Sequence, residues 1–291
     1  MTYYTLAGHS IAVCGNGLNR IPAFLPFVST KDADKETPIL LQTGVPLTDR
    51  NIVPLCFLPF IGDNTSYSFA VSDSTYLLKI ERLGIPPAFM EITNYDGCCI
   101  IKTNMDEHTP VDVFHYGLLR AFGIALLFNQ TTSVHASTVL YEGKAVLFLG
   151  DSGTGKSTHV RLWLDNMPHT ELLNDDIPLI RVMPDQTVWA FGSPWSGKTV
   201  CYKNKSAPIA AIVPLSQAPY NQITQLKGIT GFGALLHSCA RSLRCDETLL
   251  DHITAIFSTV LKQVPVYHLE CLPNPEAARL VFNTLQESGI L

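Results

Sequence analysis

Two kinds of hydrophobic spacing divide this chain. Up to about residue 130, apolar residues come in short runs separated by turn-forming residues. "SYSFAVSDSTYLLKI" (66–80) and "GCCIIKTN" (97–104) read as strands, and "TKDAD", "GDNTS" and "NYDG" read as turns. About five to seven strands are expected there. The spacing then lengthens. In "TPVDVFHYGLLRAFGIALLF", apolar residues recur at Val113, Phe114, Leu118, Phe122, Leu126 and Leu127. That predicts a helix with Thr109 as its N-cap and Pro110 just inside. Beyond it strands and helices follow in mixed order, with no internal repeat and no low-complexity segment. "TGFGALLHSCARSL" and "ETLLDHITAIFSTVLKQV" carry amphipathic helical patterns. The expected fold is mixed α/β (α+β). A β-rich N-terminal region spans residues 1–108 and a second domain spans 109–291.

The most specific stretch is "KAVLFLGDSGTGKSTHVRLWL" (144–164). "KAVLFLG" is the short apolar block of a buried strand. "KSTHVRLWL" has Val160, Leu162 and Leu164, with Trp163 between them, and reads as the first turns of a helix. Between the two, Gly150, Gly155, Lys156 and Ser157 match G-x-x-x-x-G-K-[ST]. A glycine-rich loop between a strand and a helix is the context that a phosphate-binding loop (P-loop) requires. The glycines let successive backbone amides turn inward, and the helix N-terminus adds its dipole. Lys156 can reach the β- and γ-phosphates, and Ser157 can ligate Mg²⁺. Gly150, Asp151, Ser152, Gly153, Thr154, Gly155, Lys156, Ser157 and Thr158 are therefore the expected nucleotide-binding residues, with ATP and Mg²⁺ as ligands.

Composition narrows the partners. The chain has 291 residues, 46% of them hydrophobic and 15% charged, enough to fill a substantial core. Its formal net charge is −5 with no basic run, which argues against nucleic acid or an anionic membrane as the main partner. "GLLRAFGIALLF" is too short to span a bilayer and contains Arg120. The first residues show no secretory pattern. The 8 cysteines are scattered without metal-ligand spacing, as expected for reduced thiols in a cytoplasmic protein. Cys239, Cys245, His237 and His252 fall in the C-terminal helices and read as structural.

A P-loop alone does not say what becomes of the phosphate. "ELLNDDIPLI" sets Asp175 and Asp176 at the end of an apolar run, where Mg²⁺ is normally held beside such a loop. One carboxylate can hold the metal and the other can accept a proton from an attacking hydroxyl. The competing reading is a solvated turn, since Asn and Asp dominate turns. Upstream, His135 precedes the hairpin that leads into the loop. In "FGSPWSGK", Gly192, Pro194 and Gly197 imply a shaped loop, Trp195 reads as a packing residue, and Lys198 could neutralise phosphoryl charge.

Together, "HASTVLYEGKAVLFLGDSGTGKST", "LLNDD" and "FGSPWSGK" resemble the catalytic domain of HPr kinase/phosphorylase over roughly residues 130 to 215. The resemblance implies a fold of the HPr kinase/phosphoenolpyruvate carboxykinase type and ATP-dependent transfer to a serine hydroxyl. It further implies that Ser157 and Asp175 serve Mg²⁺, that Asp176 is the base, and that His135 sits near the transferred phosphate. Two features depart from the family. Thr158 stands where the family has Glu. "YKNKSAPIAAIV" stands where the family has an arginine-bearing loop for the reverse reaction. Lys203 and Lys205 can stand in there as cations, but they lack arginine's bidentate fork. The acceptor is thus a hydroxyl of a protein, peptide or small molecule, which the N-terminal region is expected to bind. Two alternatives use the same loop: an ATPase or regulatory nucleotide-binding module without an acceptor, and a non-catalytic scaffold.

Overall fold

The computed structural model describes residues 1–29, 38–59 and 65–291. The chain divides into two compact units, Met1–Asn129 with Arg241–His252, and Gln130–Ala240 with Ile253–Leu291. Of the expected turns, "TKDAD" and most of "GDNTS" lie outside the described residues.

The first unit is built on a nine-stranded sheet. Its strands are β1 (Thr2–Leu6), β2 (His9–Cys14), β3 (Val28–Ser29), β4 (Ile39–Gln42), β5 (Cys56–Pro59), β6 (Thr65–Ser72), β7 (Thr75–Arg82), β8 (Ala88–Tyr95) and β9 (Cys98–Thr103), in the order β3-β1-β2-β4-β9-β8-β7-β6-β5. β4 runs parallel to β2 and β9. The β6–β7 hairpin turns at Asp73 and Ser74, and β8–β9 turns at Asp96 and Gly97. All four residues have positive φ, as a two-residue hairpin loop matched to strand twist demands. Along β7, Tyr76, Leu78 and Ile80 are buried while Lys79 faces outward, the period-2 pattern of a half-covered sheet. Helix α1 (Val111–Leu127) packs on β7, β8 and β9. The sheet exceeds the expected strand number because pieces as short as β3 carry too little alternation to read. The helix also begins one residue late. Its N-cap is Pro110, because the Thr109 hydroxyl accepts a hydrogen bond from the amide of Asp106 (3.1 Å) in the preceding turn.

The second unit runs through β10 (Thr131–Ser133), β11 (Ala136–Tyr141), β12 (Lys144–Leu149), α2 (Lys156–Asn166), β13 (Thr170–Asp176), β14 (Leu179–Val182), β15 (Val188–Phe191), β16 (Ser206–Gln217), β17 (Gln222–Leu226), α3 (Gly228–Ser238), α4 (Glu247–Gln263), β18 (Val266–Cys271) and α5 (Pro275–Glu287). The first six residues of α4 belong to the first unit. The sheet order is β10-β14-β15-β16-β12-β11-β13, with β18 on β16 and β17 on β18. β12, β16 and β18 are mutually parallel in sequence of pairing, and β11 is antiparallel to both β12 and β13. The fold is therefore mixed α/β with two large mixed sheets.

Phe148, Val213, Leu215 and Leu269 of the sheet pack with Val160 and Trp163 of α2 and with Ala278, Val281 and Leu285 of α5. Each large apolar side chain removed from water there contributes about 1.5–3 kcal/mol. The buried face of α2 is His159, Val160 and Trp163, at helical i, i+1, i+4 spacing. Leu164 is exposed, because a helix turns about 100° per residue and carries it past the core. No helix among the described residues is long and apolar enough to cross a membrane.

Candidate active site

The loop after β12 is shaped by three glycines at positive φ, Gly150, Gly153 and Gly155. At Gly150 a side chain would also collide with the Thr154 hydroxyl at 2.6 Å, so glycine is needed there twice over. Thr154 Oγ1 donates to the carbonyl of Asp151 (2.9 Å) and fixes the curl. Helix α2 starts at Lys156 with Gly155 as its N-cap residue. It has no side-chain cap and no acidic residue in its first turn. The positive end of its dipole thus faces the loop with no acidic residue of its own first turn beside it. Asp151, Ser152, Gly153, Ser157 and Thr158 are exposed on this rim.

Lys156 lies under the loop. Its ammonium donates to the carbonyls of Gly150 (2.7 Å) and Asp151 (3.1 Å). Burial pulls its pKa down, and the nearby carboxylates of Asp176, Asp151 and Asp175 oppose that pull. Three acidic side chains thus surround one ammonium, an arrangement that favours an added cation.

"NDD" is the end of strand β13 and not a solvated turn. Asn174 is fully buried. It donates to the hydroxyl of Ser193 (3.3 Å) and the carbonyl of Trp195 (3.0 Å), and accepts from the amide of Ile177 (2.9 Å). Asp175 is 4% exposed. Its Oδ1 accepts from Ser137 (2.6 Å), its partner across β11–β13, and from Ser157 of the loop (3.0 Å). Its Oδ2 is buried without a hydrogen-bond partner among the described residues. A buried carboxylate oxygen left unmatched is costly. Together with the Ser157 hydroxyl, this carboxylate could hold a hard cation such as Mg²⁺. Asp176 turns the other way. It is partly exposed, and its Oδ1 lies 3.2 Å from Nε2 of His135.

The "FGSPWSGK" loop closes this end of β13. Ser196 bridges Asp176, and the amide of Gly197 donates to the Asp175 carbonyl. Trp195 is buried and Lys198 is exposed beyond it. A Cβ at Gly192 would overlap the Lys203 carbonyl. Backbone cannot yield there as a side chain would. Gly192→Ala should therefore destabilise the protein by about 1–3 kcal/mol, the usual cost of overpacking, read as a lowered urea midpoint. A wild-type midpoint would mean that the loop shifts freely. Lys203 and Lys205 both bond Glu171 (3.3 and 2.9 Å), so neither ammonium is free of a carboxylate.

Several site neighbours were not legible in the sequence. Ser137, Asn174 and Ser193 lie inside the quoted stretches, but their residue type and spacing gave them no role. His237, read as structural, sits 2.9 Å from Asp151, and Gln217 donates to the carbonyl of Gly153 (3.0 Å). Both approach the loop from 64 or more positions away. His159 lies on the buried side of α2. Its Nε2 accepts from the Trp163 indole (3.3 Å), and its ring packs edge-on against Phe148. Burial pushes its pKa down to about 4, from about 6.5 for a free histidine. As pH falls from about 6.5 toward 4, the unfolded chain takes up a proton that the folded one refuses. Stability that is present above that window is lost within it. Between pH 7 and 5 the wild type should lose about 2 kcal/mol more unfolding free energy than His159→Gln. Equal losses in paired urea titrations would contradict a neutral, buried His159.

No protein-family model matches the chain, and no curated protein matches its sequence. Among solved structures it is distantly similar to the Hpr(Ser) kinase/phosphatase from Coxiella burnetii. The two are 10% identical with a TM-score of 0.32, over 54% of this chain and 95% of that one.

Proposed function

We propose that the protein is an ATP-dependent kinase that moves the γ-phosphoryl group to a hydroxyl of a protein, peptide or small molecule, by chemistry of the HPr kinase type. One observation carries this reading. The loop serine and the first strand-end carboxylate meet at 3.0 Å with a buried oxygen of Asp175 to spare, while the second carboxylate faces outward beside His135. A scaffold has no use for that division of labour.

Ser157 and Asp175 would hold Mg²⁺, which when bound offsets the negative charge of the phosphates. The amides of the loop and of the first turn of α2 receive phosphate oxygens. Lys156 leaves its two carbonyls to meet the triphosphate, supplying the nearest fixed positive charge. Asp176 accepts the proton from the acceptor hydroxyl. His135 restrains that carboxylate from the partly exposed side. Lys198, two residues after Ser196, would stabilise the group in transfer. The β-rich N-terminal region, residues 1–108, would bind the acceptor.

The test is incubation with γ-labelled ATP and Mg²⁺, alone and with serine-bearing acceptors. Label should appear on an acceptor. Label released only as free phosphate, with no acceptor labelled, would favour the ATPase reading instead.

A further inference from the structure

The second unit holds a cavity of about 540 Å³ whose lining includes the loop but neither Asp175 nor Asp176. Gly153, Thr154 and Gly155 form its inner end. Leu162 of α2 lines one side, and Pro219, Leu272 and Pro273, just beyond the C-terminal ends of β16 and β18, line the other. Its size falls within the range of about 300–1,000 Å³ typical of small-molecule sites. The cavity shares three residues with the phosphate loop. Whatever fills it is thus continuous with a group seated there.

Apart from the Thr158 hydroxyl and the His159 ring, the wall offers few free hydrogen-bond donors. Pro219 and Pro273 have no amide hydrogen. The amide of Ala218 is committed to the carbonyl of Cys271 (3.1 Å), and that of Leu272 to the side chain of Asn221 (2.9 Å). The side-chain nitrogen of Gln217 is committed to Gly153. The carbonyl of Leu272 already accepts from Asn274 (2.9 Å). A base lying here meets apolar surface and few groups able to read its edge. Strong discrimination between ligands of one shape needs buried hydrogen-bonding groups; apolar contact alone gives modest ratios.

We infer that this cavity is a base subsite that grips the nucleoside base by apolar contact without reading it, so that the donor class is wider than ATP and includes GTP. This rests on the nucleotide-binding reading of the loop. Burial of the base should make ATP bind at least tenfold more tightly than tripolyphosphate, with GTP within about fivefold of ATP.

Calorimetry with Mg²⁺ and, in turn, tripolyphosphate, ATP and GTP tests both layers. Leu272 is 38% exposed, so Leu272→Asn, which adds no charge, should fold. It should erase the advantage of ATP over tripolyphosphate while leaving tripolyphosphate affinity as in the wild type. Tripolyphosphate binding with no gain for ATP, or an ATP preference over GTP above about thirtyfold, would overturn the subsite and leave the phosphate loop standing. Binding of neither tripolyphosphate nor ATP would overturn the loop reading and the subsite with it.

Discussion

Lys156→Ala should abolish phosphoryl transfer and weaken ATP binding by about 10- to 100-fold, the worth of a hydrogen bond to a charged group. The side chain is buried, yet it bonds only to two carbonyls of its own loop. Its loss removes an ammonium on which the carboxylates of Asp151, Asp175 and Asp176 act. The remaining carboxylates would repel the triphosphate in a site where charge is poorly screened. The apolar core formed by Phe148, Trp163 and their neighbours does not include Lys156, so the variant should stay folded. Calorimetric titration with ATP and Mg²⁺, alongside circular dichroism, reads both. Wild-type affinity in a folded variant would refute the site.

The two carboxylates should separate on substitution. Asp175→Asn keeps the shape but removes the charge beside Ser157. It should raise the Mg²⁺ requirement and weaken Mg·ATP binding. The new amide would also face the Ser137 hydroxyl across 2.6 Å, a contact that now has an acceptor on the Asp175 side. Asp176→Asn leaves that cluster untouched. It should bind Mg·ATP nearly as the wild type does and lower single-turnover transfer by about 10²-fold. That is the low end for a positioned base, because a loose phosphoryl transition state draws less on one. Measuring metal-dependent ATP affinity and single-turnover rates for both variants decides the roles. If Asp176→Asn loses metal dependence and Asp175→Asn loses only rate, the assignments are exchanged. If neither quantity moves in either variant, the pair has no part in transfer.

Local elements with strong patterns were readable because their signals are local. The block 144–149 is an uninterrupted apolar run, and it forms β12. Gly150 and Gly155 stand where the backbone needs positive φ. The "YDG" turn marks the β8–β9 hairpin through Asp96 and Gly97. Errors came where tertiary demand overrode a local preference. Thr109 is a good cap residue by type, but its hydroxyl is taken by Asp106.

By itself the sequence determined the strand–loop–helix that carries Lys156 and Ser157, because glycine freedom, helix initiation and apolar blocks act over a few residues. It also placed Asp175 and Asp176 next to each other. Only the tertiary structure decided what each of them faces. The β11–β13 register puts Ser137 against Asp175, and the buried Asn174 ties the 193–195 segment to the strand end. His237 and Gln217 reach the loop in the same way, through folding of distant segments. Such pairings depend on register and on which surfaces the core brings together. They are sums over many long-range contacts, and no spacing along the chain records them.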